Sequence, residues 1–229
     1  AGSPRYSLRA RNNEFAKLDV LEQGIKEAHE RNKKFFLTVN TLPHNSKLKT
    51  FVSDMEPLIA MKPDALIMAD PGLIMTVREK WPEMPIHLSV QANTTNYWGV
   101  KFWQNIGVER IILSRELSME EIAEIRQECP DIELEVFIHG ALCIAYSGRC
   151  LLSGYFNHRD PNQGTCTNSC RWDYKVHNAT ESDAGDAQLL QGFNFEKAQE
   201  EANQNFEGIN GQKRHPYADK VFLIEESNR

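Results

Sequence analysis

Nothing in these 229 residues is built for a membrane: no apolar run approaches the ~20 residues that a spanning helix needs. No signal-peptide pattern opens the chain, so a cytoplasmic protein with no membrane partner is expected. Positive charge is also scarce. With 26 Lys and Arg against 32 Asp and Glu, the net charge is −6, which removes any general attraction to nucleic acid and leaves an RNA partner to a local basic patch. Several motifs are missing as well. Neither a Gly-rich dinucleotide fingerprint nor a phosphate-binding P-loop follows any strand-like run, which weighs against Rossmann and P-loop folds, and neither HExxH nor G-x-S-x-G occurs. Cysteine is sparse and odd in number, five residues in a chain too large to need disulfide staples, which favours reduced thiols and metal over a disulfide framework.

What is present is a repeated alternation of strand and helix. After an opening loop with Arg5, Arg9 and Arg11, apolar steps at Leu18, Leu21, Ile25 and Ala28 predict a helix over Lys17–Arg31, followed by a strand over Lys34–Asn40. A second helix, about Lys47–Met61, places Leu48, Phe51, Val52, Met55 and Ile59 on one face, and Pro57 is expected to kink or break it. Strands are then expected over Ala65–Asp70, Ile86–Gln91, Arg110–Arg115 and Glu133–His139. The helices between them start at Asp70-Pro71, at Thr94 or Thr95, and at a Ser118/Glu121 capping box; Gly107 is suited to end the middle one. Parallel strands need crossover helices, so this rhythm predicts an α/β fold with a parallel sheet. Five units without a nucleotide loop fit part of a (β/α) TIM-like barrel.

Barrel active sites lie where strands finish. Asn40, Asp70, Gln91, Arg115 and His139 sit there, with Asn93 and Glu116 just beyond. Wet loops make strand ends polar in any protein, and helix capping alone would account for Asp70. Arg115 stands out because a guanidinium at a barrel mouth suits bidentate capture of a carboxylate or phosphate.

The stretch from Glu135 to Cys170 gathers four of the five cysteines, Cys143, Cys150, Cys166 and Cys170, separated by six, fifteen and three residues. Thiolates are soft ligands, so an iron-sulfur cluster and zinc head the possible occupants. The Cys166–Cys170 interval fits a zinc knuckle, but no second close pair completes a zinc site, and spacing favours the cluster. Cys129 follows Ile125 on a helix face and reads as core. Around the thiols Arg149, Arg159, Arg171 and Lys175 outnumber Asp160 and Asp173, a rim suited to RNA phosphates or a dicarboxylate. The chain thus divides into a partial β/α barrel over 1–142, a cysteine-rich metal-cluster loop over 143–175, and a polar C-terminal extension over 176–229. Within that extension a short helix is expected around Phe195–Gln204 and a strand over Lys220–Glu226, the start of a following element, so the chain reads as an internal fragment.

The run Glu135, Phe137, His139, Gly140, Ala141, Leu142, Cys143, then Gly148, Cys150 and Ser153, resembles the signature of peptidase family U32, the collagenase-like proteins. The segments PRYSLRARNNEF, ALIMADPGLI, MPIHLSVQAN, ILSREL and SGRCLLSGY extend the likeness toward its tRNA-modifying branch. The resemblance implies a barrel-like catalytic domain with a 4Fe-4S cluster on Cys143, Cys150, Cys166 and Cys170. It also implies oxygen-independent hydroxylation of a tRNA wobble uridine to 5-hydroxyuridine, with prephenate as co-substrate and oxygen source. On that reading Arg115, with Arg9 or Arg11, is the candidate clamp for the two carboxylates. His139, Gln91 and Asp70 are further catalytic candidates, and Asn40, Asn93 and Arg149 are candidates for substrate binding. Two other readings stay open: the peptidase of the family name, with His139 and Cys143 as base and nucleophile, and a non-catalytic zinc module that binds RNA or a protein.

Overall fold

Five strands and their connecting helices occupy Ala1–Cys170 of the computed structural model, which describes residues 1–10, 13–139, 143–181, 183, 187–189 and 221–226. In chain order these are α1 (Leu18–Glu30), β1 (Phe36–Val39), α2 (Asn45–Leu48), α3 (Phe51–Ala60), β2 (Ala65–Met68), α4 (Pro71–Lys80), β3 (Ile86–Leu88), α5 (Tyr97–Asn105), β4 (Arg110–Ile112), α6 (Met119–Glu128) and β5 (Glu133–Glu135). The strands pair in parallel in the order β1-β2-β3-β4-β5, and Gly2 bridges to Thr38 in parallel on the outer side of β1. A sequential order with no reversal is that of a singly wound sheet rather than a doubly wound one.

Register explains the two faces of this sheet. Residues level with one another share a face, and Leu37 lies beside Leu66 and Ile86, while Met68, Leu88, Ile111 and Leu134 form the next row. These side chains pack against Leu21 and Ile25 of α1, Phe51, Met55 and Leu58 of α3, Leu73, Ile74 and Val77 of α4, Val100 of α5 and Ile125 of α6, which together form the core. The opposite face carries the row Thr38, Ile67, His87, Arg110 and Glu133. The core therefore lies on one side of the sheet, between strands and helices. The other side is mixed, with Phe36, Ala65, Ile67 and Ile112 beside its polar residues.

Local chemistry differs from the sequence reading in a few places. Leu18 and Leu48, expected in the core, are each 44% exposed, because α1 and α2 turn their first-turn and last-turn residues outward. Pro57 does not end α3, which runs on to Ala60 with buried Met55 and Leu58 on either side of the proline. Asn96 rather than Thr94 or Thr95 caps α5, its side-chain oxygen accepting from the Gly99 amide at 2.9 Å, and Gly107 follows the helix in the left-handed region at φ +85°. The Ser118/Glu121 capping box forms at both of its hydrogen bonds. Strands β3, β4 and β5 stop earlier than periodicity predicts, at Leu88, Ile112 and Glu135.

Within Arg171–Arg229, the second unit, β6 (Tyr174–Glu181) pairs antiparallel with both β7 (Ala187–Leu189) and β8 (Val221–Glu226). The stretch read as a polar arm thus contains backbone-paired strands, and the expected strand near Lys220 is β8. The helix expected at Phe195–Gln204 lies outside the described residues. Among the described residues no helix is long and apolar enough to cross a membrane.

Candidate functional site

The carboxyl ends of β1, β3 and β4 are tied together by short polar side chains. Asn40, one residue beyond β1, donates from Nδ2 to Ser89 Oγ at 3.3 Å and accepts from the Leu8 amide at 3.2 Å, so it links β1, the loop after β3 and the opening loop. Ser89 also accepts from the Gln91 amide at 3.3 Å, which starts the tight turn Val90–Ala92 and brings Asn93 round in the left-handed region at φ +53°. Ser114, beyond β4, bonds Asn93 Oδ1 at 2.8 Å and contacts Glu116. Arg115 follows, half-buried, with its guanidinium 5.3 Å from the centre of the Phe137 ring.

The cysteine-bearing loop is seated on these strand ends. Arg115 Nη2 donates to Ser147 Oγ at 2.7 Å, and Ser147 is 2% exposed. Next to it Gly148 has φ +74°, and a Cβ there would run into the Gln91 carbonyl oxygen, so only glycine fits. Further along, Asn162 accepts from the Leu42 amide at 3.2 Å, Gln163 donates to the Leu42 carbonyl and accepts from Lys47 Nζ at 2.9 Å, and Gly164, at φ +92°, lies so close to the Ser7 carbonyl that a Cβ would sit 2.7 Å from it. Burial and the Arg5 charge lower the pKa of Lys47 from its ordinary value. The short helix α7 (Leu152–Asn157) completes the loop: Ser153 receives the Thr167 amide at 3.2 Å, Asn157 donates to Ser169 at 3.0 Å, and Asn162 donates to the Cys150 carbonyl at 3.2 Å.

These cross-links tie the stretches around Cys150, Cys166 and Cys170 into one knot, while Cys143 is exposed ahead of it. Four thiols in a loop shielded by no disulfide are the right donor chemistry for an iron-sulfur cluster. Among the described residues, however, no three His, Cys, Asp or Glu side chains converge closely enough to share a metal ion, so a cluster would have to draw the sulfurs together. Cys129 belongs to the core, 3% exposed, with its thiol 3.7 Å from the Tyr97 carbonyl and its pKa raised by burial.

The remaining candidates are spread around this centre. Arg9 and Asn40 line one cleft of 350 Å³ with Ser7, Asn13 and Thr38. Asp70 is occupied as the cap of α4, accepting from the Leu73 amide at 2.9 Å. His139 and Arg149 are exposed, and among the described residues no hydrogen bond joins His139 to Cys143. Arg11, Gly140, Ala141 and Leu142 lie outside the described residues. Ser89, Ser114 and Ser147 escape a reading of sequence alone, and Phe137 entered it only within the family signature; the glycine after Ser147 was the one available sign of a close backbone approach. A period-of-two count along β3 would also have turned His87 away from Ile86 and Leu88, onto the mixed face.

Comparison with known proteins places the sequence in a family. The chain is 59% identical over its whole length to two proteins named tRNA hydroxylation protein P, from Escherichia coli (strain K12) and Haemophilus influenzae, and covers 48% of each. It therefore spans about half the length of these curated relatives. A solved structure, that of the U32 peptidase Mk0906, aligns with a TM-score of 0.45 at 17% identity, over 51% of this chain and 50% of that one. Residues 1–211 match the sequence model of peptidase family U32, and the chain belongs to that family.

Proposed function

We propose that this chain is the cluster-bearing barrel portion of a tRNA hydroxylase that converts the wobble uridine to 5-hydroxyuridine without molecular oxygen. The observation that carries the reading is 59% identity, with the whole chain covered, to two relatives named for tRNA hydroxylation. The sequential parallel sheet with its helices on one face supports part of a (β/α) barrel, with the site at the carboxyl ends of its strands. A tRNA substrate in turn calls for a cytoplasmic location.

Cys143, Cys150, Cys166 and Cys170 would hold a 4Fe-4S cluster, which when bound supplies one-electron or Lewis-acid chemistry. The chain's own residues do the rest. Arg115, stacked on Phe137 and bonded to Ser147, presents its remaining N–H groups to a carboxylate of prephenate, the proposed oxygen donor. Arg9, exposed beside Asn40 at the opening loop, is a second cation for the other carboxylate. Gln91 and Asn93 offer amides to the substrate at the loop after β3, and Arg149 and Arg159 supply exposed charge for tRNA phosphates. A peptidase reading lacks a comparable basis, since His139 and Cys143 are not hydrogen-bonded as a base and nucleophile would be.

The test uses the whole protein in a strain deleted for it. Nucleoside mass spectrometry should show 5-hydroxyuridine derivatives restored by the wild type and lost with Cys143→Ser, which should also lower the iron and sulfide content of anaerobically purified protein. Arg115→Ala should lose the product but keep iron and visible absorbance. Zinc in place of iron, or tRNA unchanged by the deletion, would reject the assignment.

A further inference from the structure

The segment between the first two loop cysteines does more than carry thiols. Ser147 and Gly148 lie midway between Cys143 and Cys150, and both are docked on the strand ends. Gly148 sits against the Gln91 carbonyl beyond β3 in a conformation that L side chains rarely adopt. That seat leaves Ser147 almost no freedom: it is 2% exposed, and its oxygen receives Arg115 Nη2 at 2.7 Å. On its other side Arg115 rests over Phe137, which follows β5. A long cationic side chain that would otherwise sample many rotamers is thus gripped at two points, one polar and one aromatic. No acidic side chain is paired with the Arg115 guanidinium among the described residues, so its charge is directed but not neutralised. A directed, unpaired guanidinium is poised for an anionic ligand.

We infer that Ser147 is a positioning residue that aims Arg115 at a carboxylate ligand, and that the Gly148 seat makes this aim depend on the order of the thiol loop. The inference rests on the proposed role of Arg115 as a carboxylate clamp. Its consequence is a coupling: whatever orders the loop from Cys143 to Cys150 also strengthens carboxylate binding at β4, and the reverse follows by linkage.

The experiment measures prephenate binding by calorimetry on the whole protein, with iron content and thermal midpoint followed alongside. Ser147→Ala is expected to weaken binding about tenfold, the effect of one charge-assisted hydrogen bond, with iron content and melting unchanged. Ser147→Thr, which keeps the hydroxyl, should return affinity to within about twofold, a rescue that a merely structural role would not give. Gly148→Ala should weaken binding by at least as much although Ser147 and Arg115 are both intact. If Ser147→Ala does not accumulate folded, the Thr and Val variants form the substitute pair, alike in shape and differing in the hydroxyl. Unchanged affinity in Ser147→Ala, or in Ser147→Val, while Arg115→Ala loses binding would overturn the positioning role and leave the clamp standing. Unchanged affinity in Arg115→Ala would overturn the clamp and the positioning role with it.

Discussion

At His87 the fold keeps an imidazole neutral where water would let it titrate. The ring is 6% exposed on the mixed face of the sheet, 4.7 Å from the Phe36 ring, with Nδ1 unpartnered among the described residues. Burial first, and then the Arg110 charge, lowers its pKa to about 4 from an ordinary 6.5. Arg110 is itself held over Phe36 at 5.3 Å and paired to Glu133 at 2.6 Å, which fixes a cation near the ring. The unfolded imidazole takes a proton below about pH 6.5 and the folded one does not until about pH 4. Stability is therefore unaffected by this group above pH 6.5 and falls as pH drops through the window between the two values. At about 1.4 kcal/mol per pH unit the loss reaches roughly 3 kcal/mol at the acid end. Urea midpoints measured from pH 7 to pH 4 should fall less steeply for His87→Asn than for the wild type, and parallel slopes would contradict the account. Nothing in the residue type announces this; a lone histidine between Ile86 and Leu88 acquires its environment from strands β1, β4 and β5.

At the scale of elements, caps separate structural from chemical roles. Asp70 holds the Leu73 amide and Asn96 the Gly99 amide, so Asp70→Ala and Asn96→Ala should each cost about 1 kcal/mol in chemical denaturation. Thr95→Ala should change stability by less than about 0.5 kcal/mol. Asp70→Asn keeps a capping oxygen and should retain both stability and the proposed tRNA hydroxylation; a loss of product with stability intact would give the carboxylate a chemical duty. The α4 start was legible because Asp-Pro at a strand end is a local signal, complete within two residues. The α5 start was not, since Thr94, Thr95 and Asn96 all have capping side chains. Thr94 is drawn inward and buried, its backbone carbonyl accepting from the Ser114 amide at 3.1 Å, and this long-range contact leaves the cap to Asn96.

At the scale of the whole molecule, thiol reactivity should follow burial. In metal-free native protein, alkylation read by mass spectrometry should reach exposed Cys143 first, then the half-buried Cys150, Cys166 and Cys170. Cys129 should come last, because burial both hides it and raises its pKa, leaving little thiolate. If the proposed cluster is bound, it should shield the four loop thiols together and leave Cys129 unchanged. Equal rates at all five sites would contradict the burial order.

The sequence by itself determined the alternation of strand and helix, the parallel sheet and the core face, because each rests on periodicity within a dozen or so residues. It also marked the four loop cysteines and the polar strand ends as the chemically loaded part of the chain. Only the tertiary structure decided which of those polar residues meet. Asn40 reaches Ser89 across 49 positions, Ser147 meets Arg115 across 32, and Gln163 reaches Leu42 across 121. Those contacts come from strand register and from glycines that let the loop backbone approach the sheet ends, and no local pattern records either.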